Sequence, residues 1–262
     1  MKGVHIIITL LVWSLSASSQ ELSDSAYWET EMEDSVSSFA IKPIKRPKKL
    51  LKQVIEKIIL DAHQKPKTNR YQIEATFGEG SPSSFAVTCN FSAEAGFGLE
   101  KLKLEKFHYE GPLKLTLRDT ISIESFLLNW AAVNPVRMHK EYFSWNEIKS
   151  SNDILKKTIE GLDEHIITAY NISDASGRAV YRISFEPKKR KYYATEITGT
   201  AYFDSTTLRM TQFKGETHVG YGSRIRYQID YEEKGKTPVV KQINMIGAKD
   251  DMIMKATVRR SP

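Results

Sequence analysis

Residues Arg224-Ile225-Arg226-Tyr227-Gln228-Ile229-Asp230-Tyr231-Glu232 alternate charged or polar side chains with Ile and Tyr without a break. Successive side chains of a strand point to opposite faces, so Ile225, Tyr227, Ile229 and Tyr231 line one side and the polar set lines the other. Such a strand belongs to a sheet with one hydrated and one apolar face, and the apolar face needs a cover. Burying four apolar side chains from one strand is worth on the order of 6–12 kcal/mol before the entropy of ordering them.

The pattern recurs on both sides of this strand. Arg178–Pro187 sets Tyr181, Ile183 and Phe185 against Val180, Arg182 and Ser184, and Pro187-Lys188-Lys189-Arg190 turns the chain. Tyr192–Phe203 places Tyr193, Ile197, Ala201 and Phe203 against more polar partners, and Asp204-Ser205-Thr206-Thr207 turns it into Leu208–Val219. Val239–Ile246 and Met252–Arg259 follow the opening strand. Strands joined by short turns predict an antiparallel meander. Further strands are expected at Tyr71–Phe77, Ser84–Phe91, Leu102–Tyr109 and Leu113–Arg118, where Gly78, Gly80, Pro82, Gly96, Gly98 and Gly111-Pro112 separate them.

Two helices are expected to supply the cover. Leu50, Leu51, Val54, Ile55, Ile58, Ile59 and Ala62 fall at three- and four-residue spacing between Pro47 and Pro66, with Lys49, Lys52, Gln53, Glu56 and Lys57 on the other face. Ile123–Val133 reads as a second helix that ends before Asn134-Pro135. Ser144–Lys149 and Ile154–His165 read as short helices or irregular connections. The fold class that results is α+β, a curved antiparallel sheet packed against amphipathic helices. No fixed repeat or linker divides it, which predicts a single domain over 47–262.

The N-terminus reads as an export signal over residues 1–19. Lys2 precedes an apolar run from about Val4 to Leu15, and Ala17-Ser18-Ser19 supplies small residues before Gln20. The run is shorter than the roughly 20 residues that a spanning helix needs, and no other stretch is long and apolar enough. Residues 20–46, rich in Ser, Glu and Asp at first, read as a flexible leader. With one cysteine, Cys89, the chain has no internal disulfide, and its 262 residues are enough to bury a core without one. Cys89 keeps register with Phe85, Val87 and Phe91, which predicts a small buried hydrophobe.

The net charge is +6. The excess is concentrated at Lys42, Lys45, Arg46, Lys48, Lys49 and Lys52, and again at Lys188-Lys189-Arg190-Lys191. Such runs can meet phosphates, anionic headgroups or nucleic acid. Export and the lack of a nucleic-acid motif argue against nucleic acid, and solvated surface explains both runs.

Signs of catalysis are few. His63, His108, His139, His165 and His218 show no zinc-ligand spacing, and no G-x-S-x-G elbow is present. Gly78-Glu79-Gly80-Ser81 and Gly220-Tyr221-Gly222-Ser223 lack the lysine of a phosphate loop. Asp204-Ser205-Thr206-Thr207 has one carboxylate where calcium loops use several. The chain is therefore expected to be non-catalytic, with no cofactor or metal; the rival reading assembles a site from His139, Glu141 and Asp163. Aromatic content is the remaining signal. Tyr181, Phe185, Tyr193, Phe203, Phe213, Tyr227 and Tyr231 would line the apolar face and touch an apolar or lipid ligand, or else pack as plain core beneath the helices.

Three segments carry a resemblance: Tyr181-Arg182-Ile183-Ser184-Phe185-Glu186-Pro187-Lys188, Ile197-Thr198-Gly199-Thr200-Ala201-Tyr202-Phe203-Asp204, and Leu208-Arg209-Met210-Thr211. They resemble the "F-x-P" and "G-x-x-Y-[IF]-D" strands of exported Bacteroidetes proteins that often follow a carboxypeptidase-regulatory-like domain. The helix Lys48–His63 before Tyr71 is similar to the helix that precedes a "G-x-Y-R-E" strand there. This chain has Tyr71-Gln72-Ile73 instead of Y-R-E, no room for the preceding domain, and no lipid-attachment cysteine. The resemblance implies a half-barrel like that of outer-membrane lipoprotein carriers and a place in the periplasm or at the outer membrane of a Gram-negative envelope. It transfers no catalytic residue, and the reading that results is a binding or carrier-like module for an apolar ligand, with a structural partner of an outer-membrane protein complex as the alternative.

Overall fold

The computed structural model describes residues 42–62, 67–79, 81–96, 98–132, 165–173, 177–188, 197–219, 223–234, 237–249 and 252–261. The export signal, most of the leader, the short helices or connections expected at Ser144–Lys149 and Ile154–His165, and Tyr193 lie outside them, except that His165 begins a strand.

Eleven described strands form one antiparallel sheet. They are β1 (Lys42–Pro43), β2 (Lys67–Phe77), β3 (Phe85–Ala95), β4 (Leu99–Glu110), β5 (His165–Ser173), β6 (Ala179–Pro187), β7 (Ile197–Asp204), β8 (Met210–Val219), β9 (Ser223–Lys234), β10 (Thr237–Lys249) and β11 (Met252–Arg260). Their spatial order is β1-β5-β6-β7-β8-β9-β10-β11-β2-β3-β4. The meander from β5 to β11 is therefore continued by the N-terminal hairpins, which join it through the β11–β2 pair. Helices α1 (Pro47–Ala62) and α2 (Leu117–Ala131) cover the apolar face. The result is the α+β fold, a curved antiparallel sheet covered by helices, expected from the alternation, with the half-barrel form that the resemblance implies.

Register makes the separation of faces continuous. One inner row runs Ala169, Ile183, Ala201, Phe213, Ile229, Ile243, Val258, Ile73, Cys89 and Phe107, from β5 to β4. The adjacent outer row runs Thr168, Ser184, Thr200, Lys214, Gln228, Asn244, Thr257, Glu74, Thr88 and His108. Within the opening strand Tyr227, Ile229 and Tyr231 are buried and Ile225 is half-buried against the same core. A shift of one residue at any pair would exchange these two rows, so burial fixes the register.

Curvature comes from small inner residues and from bulges. The next inner row includes Phe185, Gly199, Gly215, Tyr227, Met245, Ala256, Ala75 and Val87, so large side chains sit beside positions with almost none. Register shifts at Asn90/Phe91, Tyr202/Phe203 and Val240/Gln242 add the local twist that bulges impose. Helix α1 seats Leu50, Val54 and Ile55 inward and exposes Lys48, Lys49, Lys52, Gln53 and Glu56. From α2, Ile123, Leu127 and Ala131 enter the core, and Phe126 lies 6.1 Å from Phe77 between ring centroids. Trp130 occupies the space that a side chain on Gly247 of β10 would need.

Three expectations are corrected. Leu113–Arg118 is not a strand: Thr116 caps α2, whose first residue is Leu117. The Thr116 side chain accepts from the Asp119 N–H at 3.3 Å, while Asp119 accepts from the Thr116 N–H at 3.0 Å and from its hydroxyl at 2.7 Å. This capping box overrides the Leu113/Leu115/Leu117 alternation and starts the helix six residues before the expected Ile123. At the other end of the chain's described part, Lys42–Pro43 pair with Asn171 and Tyr170, and Ile44 donates to the Ala169 carbonyl at 2.9 Å. The sheet thus begins inside the segment read as leader. Strands β3 and β4 also run on to Ala95 and from Leu99, beyond the expected ends.

Among the described strands β4 ends the sheet, and it exposes Lys101, Lys103, Glu105, Lys106, His108 and Glu110, charges that discourage pairing with another chain. Gly199 offers a test of the inner packing. A Cβ there would stand 2.8 Å from the Lys214 carbonyl oxygen and 2.9 Å from the Phe185 ring, whereas Gly96 has nothing within 4 Å. Gly199→Ala is expected to lower stability by about 1–3 kcal/mol, as overpacking does, and Gly96→Ala to stay within about 0.5 kcal/mol of the parent. Urea unfolding midpoints decide; equal midpoints for the two variants would contradict the packing described.

Candidate ligand-binding site

The expected aromatic residues fall into two groups on the inner face. Phe185, Phe213 and Tyr227 make one: Phe213 lies 5.9 Å from Phe185 and 5.8 Å from Tyr227 between ring centroids. They converge because Gly199 and Gly215 are cross-strand partners on β7 and β8, flanked in register by Phe185 on β6 and Tyr227 on β9. Two adjacent positions without side chains leave a hollow, and the rings fold into it. A Cβ on Gly215 would stand 2.6 Å from Tyr227 Cζ and 2.8 Å from Phe213 Cε1. This is a saddle with a glycine floor and aromatic fill.

Tyr181 and Phe203 make the second group, as direct cross-strand partners on β6 and β7. Tyr181 is partly buried against the core, and Phe203 is fully buried. Tyr231 lies on the same face of β9 as Tyr227, opposite Val240. Tyr193 lies outside the described residues, as do His139, Glu141 and Asp163.

Aromatic residues also fill the other half of the inner face, which the reading of the C-terminal strands left out. Tyr71 stacks on Phe91 at 5.8 Å and Phe77 on Phe85 at 4.6 Å, with Phe126 and Trp130 of α2 above them, 4.8 Å apart. Their signal was present in the Phe85/Val87/Cys89/Phe91 alternation and in the spacing of Phe126 and Trp130. The Tyr71 hydroxyl donates to the Val240 carbonyl at 2.9 Å, tying β2 to β10 through the core.

Burial controls the chemistry of this interior. It pushes the hydroxyls of Tyr71, Tyr227 and Tyr231 well above the usual phenol range, with Tyr227 and Asp230 adding to the shift at Tyr231. It pushes the Cys89 thiol from an ordinary 9.0 up to about 12, helped by the charge of Glu124 on α2. A thiol held neutral is a poor nucleophile. These groups stay protonated and act as hydrophobic bodies with polar tips.

The hydrated face carries two open depressions. One, of about 370 Å³, includes Thr168, Ser184, Thr200, Lys214, Glu216 and Arg226 in its lining. The other, of about 500 Å³, includes Glu74, Thr88, Gln228, Asn244, Lys255 and Thr257. Their polar groups largely engage one another: Arg226 pairs with Glu216 at 2.6 Å, Ser184 shares a hydrogen bond with Thr200 at 3.0 Å, and Gln242 donates to Asn244 at 2.9 Å. Among the described residues, no group of three or more His, Cys, Asp and Glu could hold a metal ion. Asp204 Oδ1 accepts from the N–H groups of Thr206 and Thr207 at 3.0 and 2.7 Å, which holds its carboxyl below the usual range and closes the β7–β8 turn. No described helix is long and apolar enough to cross a membrane.

No protein-family model matches the chain, and no curated protein matches it in sequence. Among solved structures it is similar to a putative outer membrane lipoprotein-sorting protein domain from Vibrio parahaemolyticus, with TM-score 0.39 and 6% identity over 83% of this chain and 91% of that one. A DUF1329 family protein from Desulfovibrio piger gives TM-score 0.34 and 10% identity over 82% and 93%. A LolA superfamily protein from Nitrosomonas europaea gives 0.31 and 9% over 80% and 90%. Likenesses at these scores carry no argument; the half-barrel rests on the strand register.

The buried thiol and phenols fix a direction for stability against pH. The unfolded chain releases these protons at their ordinary values, while the folded chain holds them, so the unfolded state gains as pH rises. Stability from Cys89 should be intact below about pH 9 and be lost toward about pH 12. Urea midpoints should therefore fall between pH 8.5 and 10.5, and Cys89 should resist a thiol reagent until the protein unfolds. A native thiol that reacts at pH 8 as fast as free cysteine would contradict its burial.

Proposed function

We propose that the protein is a non-catalytic binding module, carrier-like in action, that takes an apolar ligand between the sheet and its helices. The observation that supports this most is the saddle at Gly199 and Gly215. At Gly215 its volume is held by the far ends of Tyr227 and Phe213, and at Gly199 by the rings of Phe185 and Phe213 beside the Lys214 carbonyl oxygen. Rotation of Phe185, Phe213 and Tyr227 away from the glycine floor would yield an elongated apolar slot without moving a strand. Tyr181, Phe203 and Tyr231 would extend its lining, and Tyr193 by its place in the alternation. Apolar surfaces with a few phenol tips suit an acyl chain better than a polar metabolite.

The same reading places the protein in the envelope. The apolar run before Gln20 and the single cysteine fit an exported chain from which the signal is removed. A partner protein of the outer membrane remains the second reading; it would meet the sheet at an outward surface and leave the saddle filled by its own rings.

Native mass spectrometry of protein purified from its own envelope tests the proposal. An apolar adduct is expected, and Phe213→Leu with Tyr227→Leu should lower its occupancy severalfold in folded protein. Bare protein that also fails to take up a fluorescent fatty acid would end the binding reading. A stoichiometric protein on bare chains would favour the partner.

A further inference from the structure

The fold directs the basic segment that follows β1 toward the end of the sheet where β6 ends at a second basic run, more than a hundred residues away in sequence. Strand β1 runs antiparallel to β5, with Lys42 opposite Asn171, Pro43 opposite Tyr170, and Ile44 bonded to Ala169. The chain therefore heads toward the end of β5 where His165 faces Pro187 of β6. Lys45 and Arg46 follow in that direction, and Lys188, exposed, is the next residue after Pro187. Six Lys and Arg residues stand from Lys42 to Lys52, all exposed, and no Asp or Glu occurs from Lys42 to Ile55.

These cations precede and open α1, where positive charge is unfavourable. The Arg46 carbonyl accepts from the N–H groups of Lys49 and Leu50 at 3.1 and 3.4 Å, so an arginine holds the capping position where an oxygen-bearing side chain would be favoured. The first turn of α1 contains no acidic residue. Positive charge at a helix N-terminus opposes the helix dipole. Helix α2 shows the opposite arrangement, with Thr116 and Asp119 in a capping box. A cluster placed against the stability of its own helix points to an external anion.

We infer that this rim, formed by the segment Lys45–Lys52 and the end of β6 at Lys188, docks the protein on an anionic lipid bilayer. The cations are spread along a loop and a helix face, as suits a plane of separate phosphates. Nucleic acid is disfavoured, because no Phe, Tyr or Trp lies in 42–62 to stack a base. The inference does not depend on the apolar ligand.

Co-sedimentation with vesicles tests it, using the whole protein as its host makes it. Equal parts of phosphatidylglycerol and phosphatidylcholine should bind it, and pure phosphatidylcholine should not. Replacing Lys45, Arg46, Lys49 and Lys52 by Gln should weaken binding at least tenfold, since each cation near such a surface contributes about one kcal/mol. Lys103→Gln with Lys106→Gln on the far edge should change it little. The four-fold variant should unfold at an equal or higher temperature, because cations leave a helix N-terminus. The inference is overturned by equal binding of parent and variant, by equal binding to pure phosphatidylcholine, or by no binding at all. Soluble heparin bound as tightly as the vesicles through the same four residues would also overturn it.

Discussion

The structure depends on a register held in phase through ten strands. An apolar row and a polar row run side by side from β5 to β4, and every strand contributes one residue to each. Because the side-chain period is two, a slip at one pair would turn that strand's apolar set to water and a polar set inward. Burial of Tyr71, Tyr227, Ile229, Ile243 and Val258 at or near zero exposure opposes such a slip at the centre of the sheet. The β11–β2 pair matters most here, since it joins the C-terminal meander to the N-terminal hairpins across most of the chain's length.

A sheet this wide must curl for two helices to cover it, and the inner face is built to allow that. Gly199, Gly215 and Gly247 interrupt rows of large residues, and in each case an aromatic ring occupies the missing side chain's place. The same substitution of ring for side chain has different consequences at the two ends. At Gly247 the ring is Trp130, anchored on α2, so the contact ties helix to sheet. At Gly199 and Gly215 the rings come from neighbouring strands and fill the saddle from within. Packing and a potential binding slot therefore arise from one device.

Much of this was legible in the sequence because it is periodic. Alternation at Arg224–Glu232 and Arg178–Pro187 identifies strands and faces, and the spacing of Leu50, Val54 and Ile58 identifies α1. What alternation cannot distinguish is a short apolar run that continues into a capped helix. Leu113–Arg118 has a strand's pattern, yet Thr116 and Asp119 determine the outcome through three hydrogen bonds. Strand order was equally hidden. Nothing in the local pattern says that β2 should pair with β11, or that two residues at Lys42–Pro43 should close the edge of β5. The aromatic saddle was half legible: its rings were visible, but nothing in the local pattern singled out Gly199 and Gly215, whose pairing across β7 and β8 gathers them.

Both proposals meet in α1. Its inward side places Leu50 and Val54 in the core over β5 and β10, and its outward side carries the cations of the rim. The N-terminal end of this helix follows the β1–β5 hydrogen bonds, and its body lies against β5 and β10. Backbone pairing is directional and packing is not. The hydrogen-bonded segment before α1 fixes where the helix begins, and apolar contact along its inward side fixes which face it turns to the sheet. The interior that it covers and the surface that it presents are thus coupled by one sixteen-residue element.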